Sequence, residues 1–337
     1  MKKTEYKGIY SIPVTPFNED KSIDYDSLRK CIEYFLDKKT DGILLPVNVS
    51  EASKLSDTEK NKILKEAIDV TENKIPIIAG VTSSSTQHVI ERCKFAENIG
   101  ISSMMAMPPM GYSSEKDFYN FYEAISKNTD SDIWVQNNKM PAGPTVPSSI
   151  LIKIINDIDK VDFLKEESVN SSQMHTIINE KCEGHLKSIM GGAGGRFIID
   201  EYRRGSNGIM PSGHMLEAHR KLWDSLVISN KDEVNPDAIE IWNKMLEALN
   251  FEFMYSVSAY KYFFWKRGII RTNISREPIR SLDKFDQIEA DRILEKLDYN
   301  FFQLKVLSNI FSVILNIFKD SSIFAPLNFL SSYTYSK

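Results

Sequence analysis

Lys165 closes the stretch Val161-Asp162-Phe163-Leu164-Lys165 and is followed at once by Glu166, Glu167 and Ser168. A lysine at the end of an apolar β-type run has a chemistry that a surface lysine lacks. Turned inward, its ammonium is costly to bury. The amine left after loss of a proton attacks a carbonyl carbon and forms an imine. Side chains alternate along a strand, so Glu167 shares the face of Lys165 and Glu166 takes the other. Glu167 is then an acid–base partner for that amine, a ligand for a substrate hydroxyl or amine, or a structural ion pair that lowers no barrier.

Two further clusters have spacing that bears on chemistry. The run Gly191-Gly192-Ala193-Gly194-Gly195-Arg196-Phe197 reads either as a phosphate cradle with Arg196 adding charge at a helix start, or as a tight strand-to-helix turn that needs glycine. His214 follows Gly208-Ile209-Met210-Pro211-Ser212-Gly213 and reads as a catalytic group or a cap residue. His88, His175, His185 and His219 fall on or beside helical patterns without metal-ligand spacing. Cys31, Cys93 and Cys182 make neither a metal-type pair nor a disulfide framework. Neither a metal nor a cofactor is implied. Met104, Met105, Met107 and Met110 read as core and pocket lining.

The elements that must hold these residues alternate. β-rich runs begin near Gly8, Gly42, Ile75, Ile101, Asp132, Val161, His185 and Asn207, with amphipathic helical patterns between them. Asp24 opens one helix, with apolar residues at Leu28, Cys31, Ile32 and Phe35. Ser56 and Glu59 form a capping box, and Ser114 and Ser148 are further N-cap candidates. Eight strand–helix alternations are the signature of an α/β fold of the (β/α)₈ TIM-barrel type, whose active sites lie at the carboxyl ends of the strands. Lys165 ends the sixth. The barrel is expected over residues 1–213, a C-terminal helical extension over 214–298, and an apolar tail over 299–337. Within the extension the periodicity predicts helices at 216–227, 236–250, 257–267 and 283–297. A doubly wound open sheet is the competing architecture, but no glycine-rich phosphate loop follows the first strand.

With a barrel in place, the landmarks resemble the N-acetylneuraminate lyase and dihydrodipicolinate synthase family of class I aldolases, over roughly Gly8 to Leu297. The pieces are Val14-Thr15-Pro16-Phe17, Ser50-Glu51 with Leu55-Ser56, Ile78-Ala79-Gly80-Val81 and Leu164-Lys165-Glu166. The resemblance implies that Lys165 forms a Schiff base with pyruvate or another 2-oxo acid. Departures are as informative. The turn that usually reads Gly-Thr/Ser-Thr-Gly-Glu is Val47-Asn48-Val49-Ser50-Glu51. Its backbone amides, with Asn48 or Ser50 as side-chain donors, are expected to hold the substrate carboxylate.

The family's strand-five Tyr-Asn pair is Gln136-Asn137 here, and a carboxamide does not titrate usefully. The second tyrosine falls on Met110, with Tyr112 two residues on. An arginine that grips a distal carboxylate is missing from Lys139-Met140-Pro141-Ala142-Gly143-Pro144. Such losses argue against the lysine-biosynthetic reaction and leave imine chemistry with another proton relay. Gln136, Glu167 and the glycine run are similar to a divergent branch of the family.

The implied activity is a cofactor-independent lyase that makes or breaks a carbon–carbon or carbon–oxygen bond beside the imine. Its catalytic set is Lys165, Glu167, Gln136 and Tyr112. Its substrate-binding set is Asn48, Val49, Ser50, Asn137, Met210 and Arg196. The partners implied are a 2-oxo acid, an aldehyde co-substrate and further copies of the chain in a dimer or tetramer. The alternative is a non-catalytic barrel that binds 2-oxo acids or sugar acids after losing its proton relay.

Composition agrees with a soluble globular protein. The 337 residues are 42% hydrophobic and 26% charged, with a formal net charge of -4, which offers no general attraction to nucleic acid or anionic membrane. The amino-terminal residues carry no signal-peptide pattern, so the expected location is the cytoplasm. In the tail, Lys305, Asn309, Asn316, Lys319 and Asp320 interrupt the apolar run too often for a membrane span.

Overall fold

The computed structural model describes residues 6–302. Eight parallel strands close into a barrel in sequence order: β1 (Gly8–Ser11), β2 (Gly42–Leu45), β3 (Ile77–Gly80), β4 (Ser103–Ala106), β5 (Asp132–Asn137), β6 (Phe163–Glu166), β7 (Ser188–Gly191) and β8 (Gly208–Ile209). Closure is made by β8 on β1, with Gly8 opposite Gly208 and Ile9 opposite Ile209. The helices that follow the first seven strands are α1 (Tyr25–Asp37), α2 (Asp57–Thr71), α3 (Thr86–Asn98), α4 (Glu115–Lys127), α5 (Ser148–Asp157), α6 (Ser171–Lys181) and α7 (Ile198–Arg203). The sequence predicted this architecture, and the open-sheet alternative is excluded by the β1–β8 pairing.

The strands carry two cores because their side chains alternate. Ile9, Ile43, Ile77, Met104, Ile133, Leu164 and Ile189 face outward onto the helices. Tyr10, Leu44, Ile78, Met105, Trp134, Phe163, Met190 and Met210 face inward and fill the barrel. Trp134 and Phe163 stack at 5.0 Å and 26°, and Tyr6 closes on both rings edge-on at 5.4 and 5.0 Å. Such pairs each add about 0.5–1.5 kcal/mol beyond area burial. This aromatic floor fixes the height at which the next inward residues emerge.

Helix starts are set by the short polar residues identified in the sequence. Asp24 accepts from the Ser27 amide, Ser114 accepts from the Asp117 amide, and Ser56 with Glu59 makes a complete capping box. Ser148 differs. Pro147 occupies the cap position and Ser148 is the first residue of α5, so its hydroxyl caps nothing.

After β8 come α8 (Leu216–Val227), α9 (Pro236–Tyr255), α10 (Val257–Lys266) and α11 (Lys284–Leu297), and Asp298–Phe302 makes a π-helical turn. The expected tail lies outside the described residues from 303 onward. Helix α9 runs to Tyr255, beyond the predicted end at Asn250, because Phe251 and Glu252 are themselves buried and continue its inner face. The extra turns carry the chain over the mouth of the barrel. Lys261 of α10, wholly buried, pairs with the Glu51 carboxylate, donates to the Ile274 carbonyl at 2.7 Å and lies over the Phe17 ring at 4.2 Å. Burial lowers its pKa to about 8 against the opposing pull of Glu51. This buried pair ties α10 to the turn that follows β2.

Candidate active site

The inward row of β6 reads Phe163, Lys165 and then Glu167 just past the strand; that of β5 reads Trp134, Gln136 and then Asn138. Gln136 is in register with Lys165. Above the aromatic floor, the two rows therefore place an amine, a carboxylate and two carboxamides side by side. Lys165 is 3% exposed, and its Nζ stands 3.1 Å from Glu167 Oε2. The same oxygen accepts from Gln136 Nε2 at 2.9 Å and Asn138 Nδ2 at 3.3 Å, and Oε1 accepts from the Ala193 amide at 3.2 Å. Burial works to raise the Glu167 pKa, but the Lys165 charge and these donors together lower it. Glu167 is the ionised partner of the lysine.

The glycine run gives room for this arrangement. A Cβ on Gly192 would collide with Glu167 Oε1, and one on Gly194, whose φ is +67°, would collide with Glu252 Oε1. A Cβ on Gly191 would likewise collide with Glu201, so the run is a strand-to-helix turn that lets backbone approach three carboxyl groups, neighbours unsuited to a phosphate.

Three more buried carboxyls surround the pair. Glu166 faces outward, accepting from the Asn137 carboxamide at 2.8 Å and the Ser168 amide at 2.7 Å; burial raises its pKa, helped by Glu167. Glu201, bonded by the Ser171 hydroxyl at 2.8 Å, and Glu252 are each pushed up to about 8 by burial. At neutral pH Glu201 and Glu252 are therefore mostly protonated, whereas Glu167 is ionised. Among the described residues no group of three or more His, Cys, Asp or Glu is arranged to hold a metal ion.

A cavity of about 200 Å³ opens over the lysine. Gln136, Lys165 and Glu167 line it, as do Asn48 and Val49 from the turn after β2. These five of the sequence candidates are brought together. The first two amides of a helical turn have no partner within it, and Asn48 and Val49 begin such a turn. The other candidates lie elsewhere. The Tyr112 hydroxyl meets Thr86 Oγ1 at 3.1 Å and its ring packs edge-on against Phe121. Ser50 donates to the Pro13 carbonyl at 2.7 Å. Asn137 has the outward parity and spends its amide on Glu166 and the Val146 N–H. Met210 is packed within the inner core. Arg196 donates to Asn250 and to the Leu249 carbonyl and lies over the Phe253 ring at 4.4 Å, pinning the glycine turn to α9.

His214 is structural. Its ring stacks on Phe263 at 5.1 Å, its Nδ1 meets Ser212 Oγ at 2.6 Å, and Nε2 lies 3.5 Å from Glu252 Oε2. Burial lowers its pKa well below the ordinary value, so it stands neutral behind Glu252.

The lining residues outside the candidate set are Val47, Asn138, Ala142, Ala193, Glu252, Phe253, Ser256 and Tyr260. Asn138 was accessible through the same alternation that found Glu167. Glu252 to Tyr260 come from the α9–α10 junction, nearly a hundred residues beyond Lys165, and no local pattern points them at the barrel.

A profile of the dihydrodipicolinate synthetase family matches residues 5–297. A 4-hydroxy-tetrahydrodipicolinate synthase from Phocaeicola vulgatus is 31% identical over 182 residues, 54% of this chain and 61% of that protein. Another, from Chlorobaculum parvum, is 26% identical over 241 residues, 71% of this chain and 80% of that protein. The chain thus spans about three fifths of the first of these curated relatives. Among solved structures, a dihydrodipicolinate synthase from Rhodopseudomonas palustris superposes with a TM-score of 0.80 at 21% identity, over 87% of this chain and 98% of that one. One from Thermotoga maritima gives 0.80 at 18%, over 87% and 99%. At such identities the structural likeness is one of fold.

Proposed function

The chain belongs to the dihydrodipicolinate synthetase family, and from that premise we propose that it is a Schiff-base-forming lyase acting through Lys165 on pyruvate or a related 2-oxo acid. The observation that carries the reading is the buried Lys165–Glu167 pair, 3.1 Å apart at the mouth of the barrel. Proton transfer across that distance leaves an amine beside a carboxylic acid. The amine adds to the keto carbon, and loss of water gives a protonated imine. That cation withdraws electrons from the neighbouring carbon, so a bond there to hydrogen, carbon or oxygen breaks or forms.

The other residues fit supporting roles. The Asn48 and Val49 amides hold the carboxylate. Gln136, whose Oε1 is buried without a partner, accepts from the imine N–H or a substrate hydroxyl. The second substrate is an aldehyde, and the working form is a homo-oligomer in the cytoplasm. Among the described residues no helix is long and apolar enough to cross a membrane.

The test is intact-protein mass spectrometry after incubation with pyruvate and borohydride. One reduced adduct per chain is expected, mapped to Lys165 and lost in Lys165→Ala. Full labelling of Lys165→Ala would overturn the assignment. The presence of Gln136 in register with Lys165, where a titrating group would serve a proton relay, favours a second reading: a barrel that binds 2-oxo acids without reacting. Absence of any adduct with pyruvate and with longer 2-oxo sugar acids, together with a thermal shift by those acids that persists in Lys165→Ala, would favour that reading instead.

A further inference from the structure

The wall of the cavity beyond Lys165 is not built by the barrel. It is supplied by the end of α9 and the start of α10, through Glu252, Phe253, Ser256 and Tyr260. Ser256 joins the two helices at φ +50° and ψ −122°, a backbone conformation costly for a residue with a side chain. An unbroken helix would avoid that cost. The break redirects the chain so that Tyr260, one turn later, meets the cavity.

The titratable groups lining that cavity are Lys165, Glu167, Glu252 and Tyr260. Strand β5 and the residue just past it contribute only the carboxamides Gln136 and Asn138. Imine formation needs a group that gives a hydrogen to the carbonyl oxygen and another that removes one from nitrogen. Glu167, once it has taken the Lys165 proton, cannot do the second task at the same time. Glu252 is turned away, with Oε1 against Gly194 and Oε2 facing His214 Nε2 at 3.5 Å. Tyr260 remains. Its ring lies 5.5 Å from that of His214, and its hydroxyl sits beside the Ser256 hydroxyl within electrostatic reach of Glu252 and Glu167.

We propose that Tyr260 is the proton shuttle of imine formation at Lys165, supplied by the C-terminal helices in place of a group on β5. The inference rests on the imine reading of Lys165. As the N–C bond forms, the Tyr260 hydroxyl hydrogen passes to the carbonyl oxygen. The tyrosinate then takes one of the two hydrogens from the attached nitrogen, leaving a neutral carbinolamine. The proton that Glu167 received from Lys165 departs with the carbinolamine hydroxyl as water, and the nitrogen lone pair closes the C=N bond. Every group but Lys165 returns to its starting state. Burial, with Glu252 and Glu167 nearby, raises the Tyr260 pKa well above its ordinary value, so the shuttle waits protonated.

The experiment measures the rate and the final stoichiometry of borohydride trapping with pyruvate, with circular dichroism melts alongside. It compares the native chain, Tyr260→Phe and Tyr260→3-fluorotyrosine. Tyr260→Phe is expected to reach the native stoichiometry at a rate lower by about 10²-fold or more. The fluorinated ring packs alike but has a more acidic phenol, so its trapping rate is expected to depart from native by about threefold or more. Native trapping rates in both variants would overturn the shuttle and leave the imine reading intact. No trapping by the native chain with any 2-oxo acid would overturn both. If Tyr260→Phe fails to fold, the fluorotyrosine protein decides alone, and an unchanged rate sinks the proposal.

Discussion

Glu252 makes a test of the electrostatics that does not depend on any substrate. Its carboxyl is wholly buried beside neutral His214, faced by Tyr260 from α10, by Glu167 past β6 and by the Arg196 guanidinium near the glycine turn. Burial raises its pKa from 4.5 to about 8, with Arg196 opposing. A carboxyl raised on folding adds its full stability below the unfolded value, and that stability is lost as pH climbs to the folded value. The interval is about 3.5 pH units at about 1.36 kcal/mol each, so the native chain loses on the order of 5 kcal/mol between acid and mildly alkaline pH from this group. Glu252→Gln keeps the shape and cannot ionise. Apart from a constant offset, the variant is expected to exceed the native protein by roughly 1 kcal/mol at pH 5, roughly 3 at pH 7, and to approach about 5 above pH 8. Urea unfolding of both proteins across that range supplies the measurement. Glu201, raised in the same way, contributes equally to both and cancels in the difference. A difference that stays flat with pH would refute the reasoning.

Two further predictions concern the floor of the cavity. Glu167→Gln removes the base 3.1 Å from Lys165 and should slow imine trapping by about 10²–10⁴-fold, read by quenching the borohydride reaction at intervals. Gly192→Ala drives a methyl group into Glu167 Oε1, so the carboxylate must move off its donors. Trapping should slow, and stability should fall by about 1–3 kcal/mol in a denaturant titration.

The parts of the fold that follow from local chemistry were legible. Capping by Asp24, Ser56 and Ser114, the inward parity of Phe163, Lys165 and Glu167, and the helical periods after residue 214 all rest on neighbours a few positions apart. The same parity rule would have excluded Asn137 and included Asn138. Met210 shows its limit, because alternation gives the face of a strand and not the depth in the barrel. Tyr112 and Arg196 were chosen for chemical type near the right loop, yet Thr86 and Phe253 hold them. Least legible was the α9–α10 wall. Its position depends on how helices distant in sequence pack over the barrel, and the turn at Ser256 carries no glycine to mark it.

The glycine turn also binds positions of the chain together across generations. While Glu167 and Glu252 are present, a methyl group on Gly192 or Gly194 meets a carboxyl oxygen, so neither glycine changes without displacing its neighbour. A lineage that shortened Glu167 would ease the constraint on Gly192 in the same stroke, whereas Gly194 would stay tied by its φ of +67° whatever stood beside it, and a lineage that filled either glycine first would meet a clash at the centre of the site. Gly192 and Glu167 are therefore expected to change as a unit among descendants of this chain, that glycine recording whether its carboxylate is still in use.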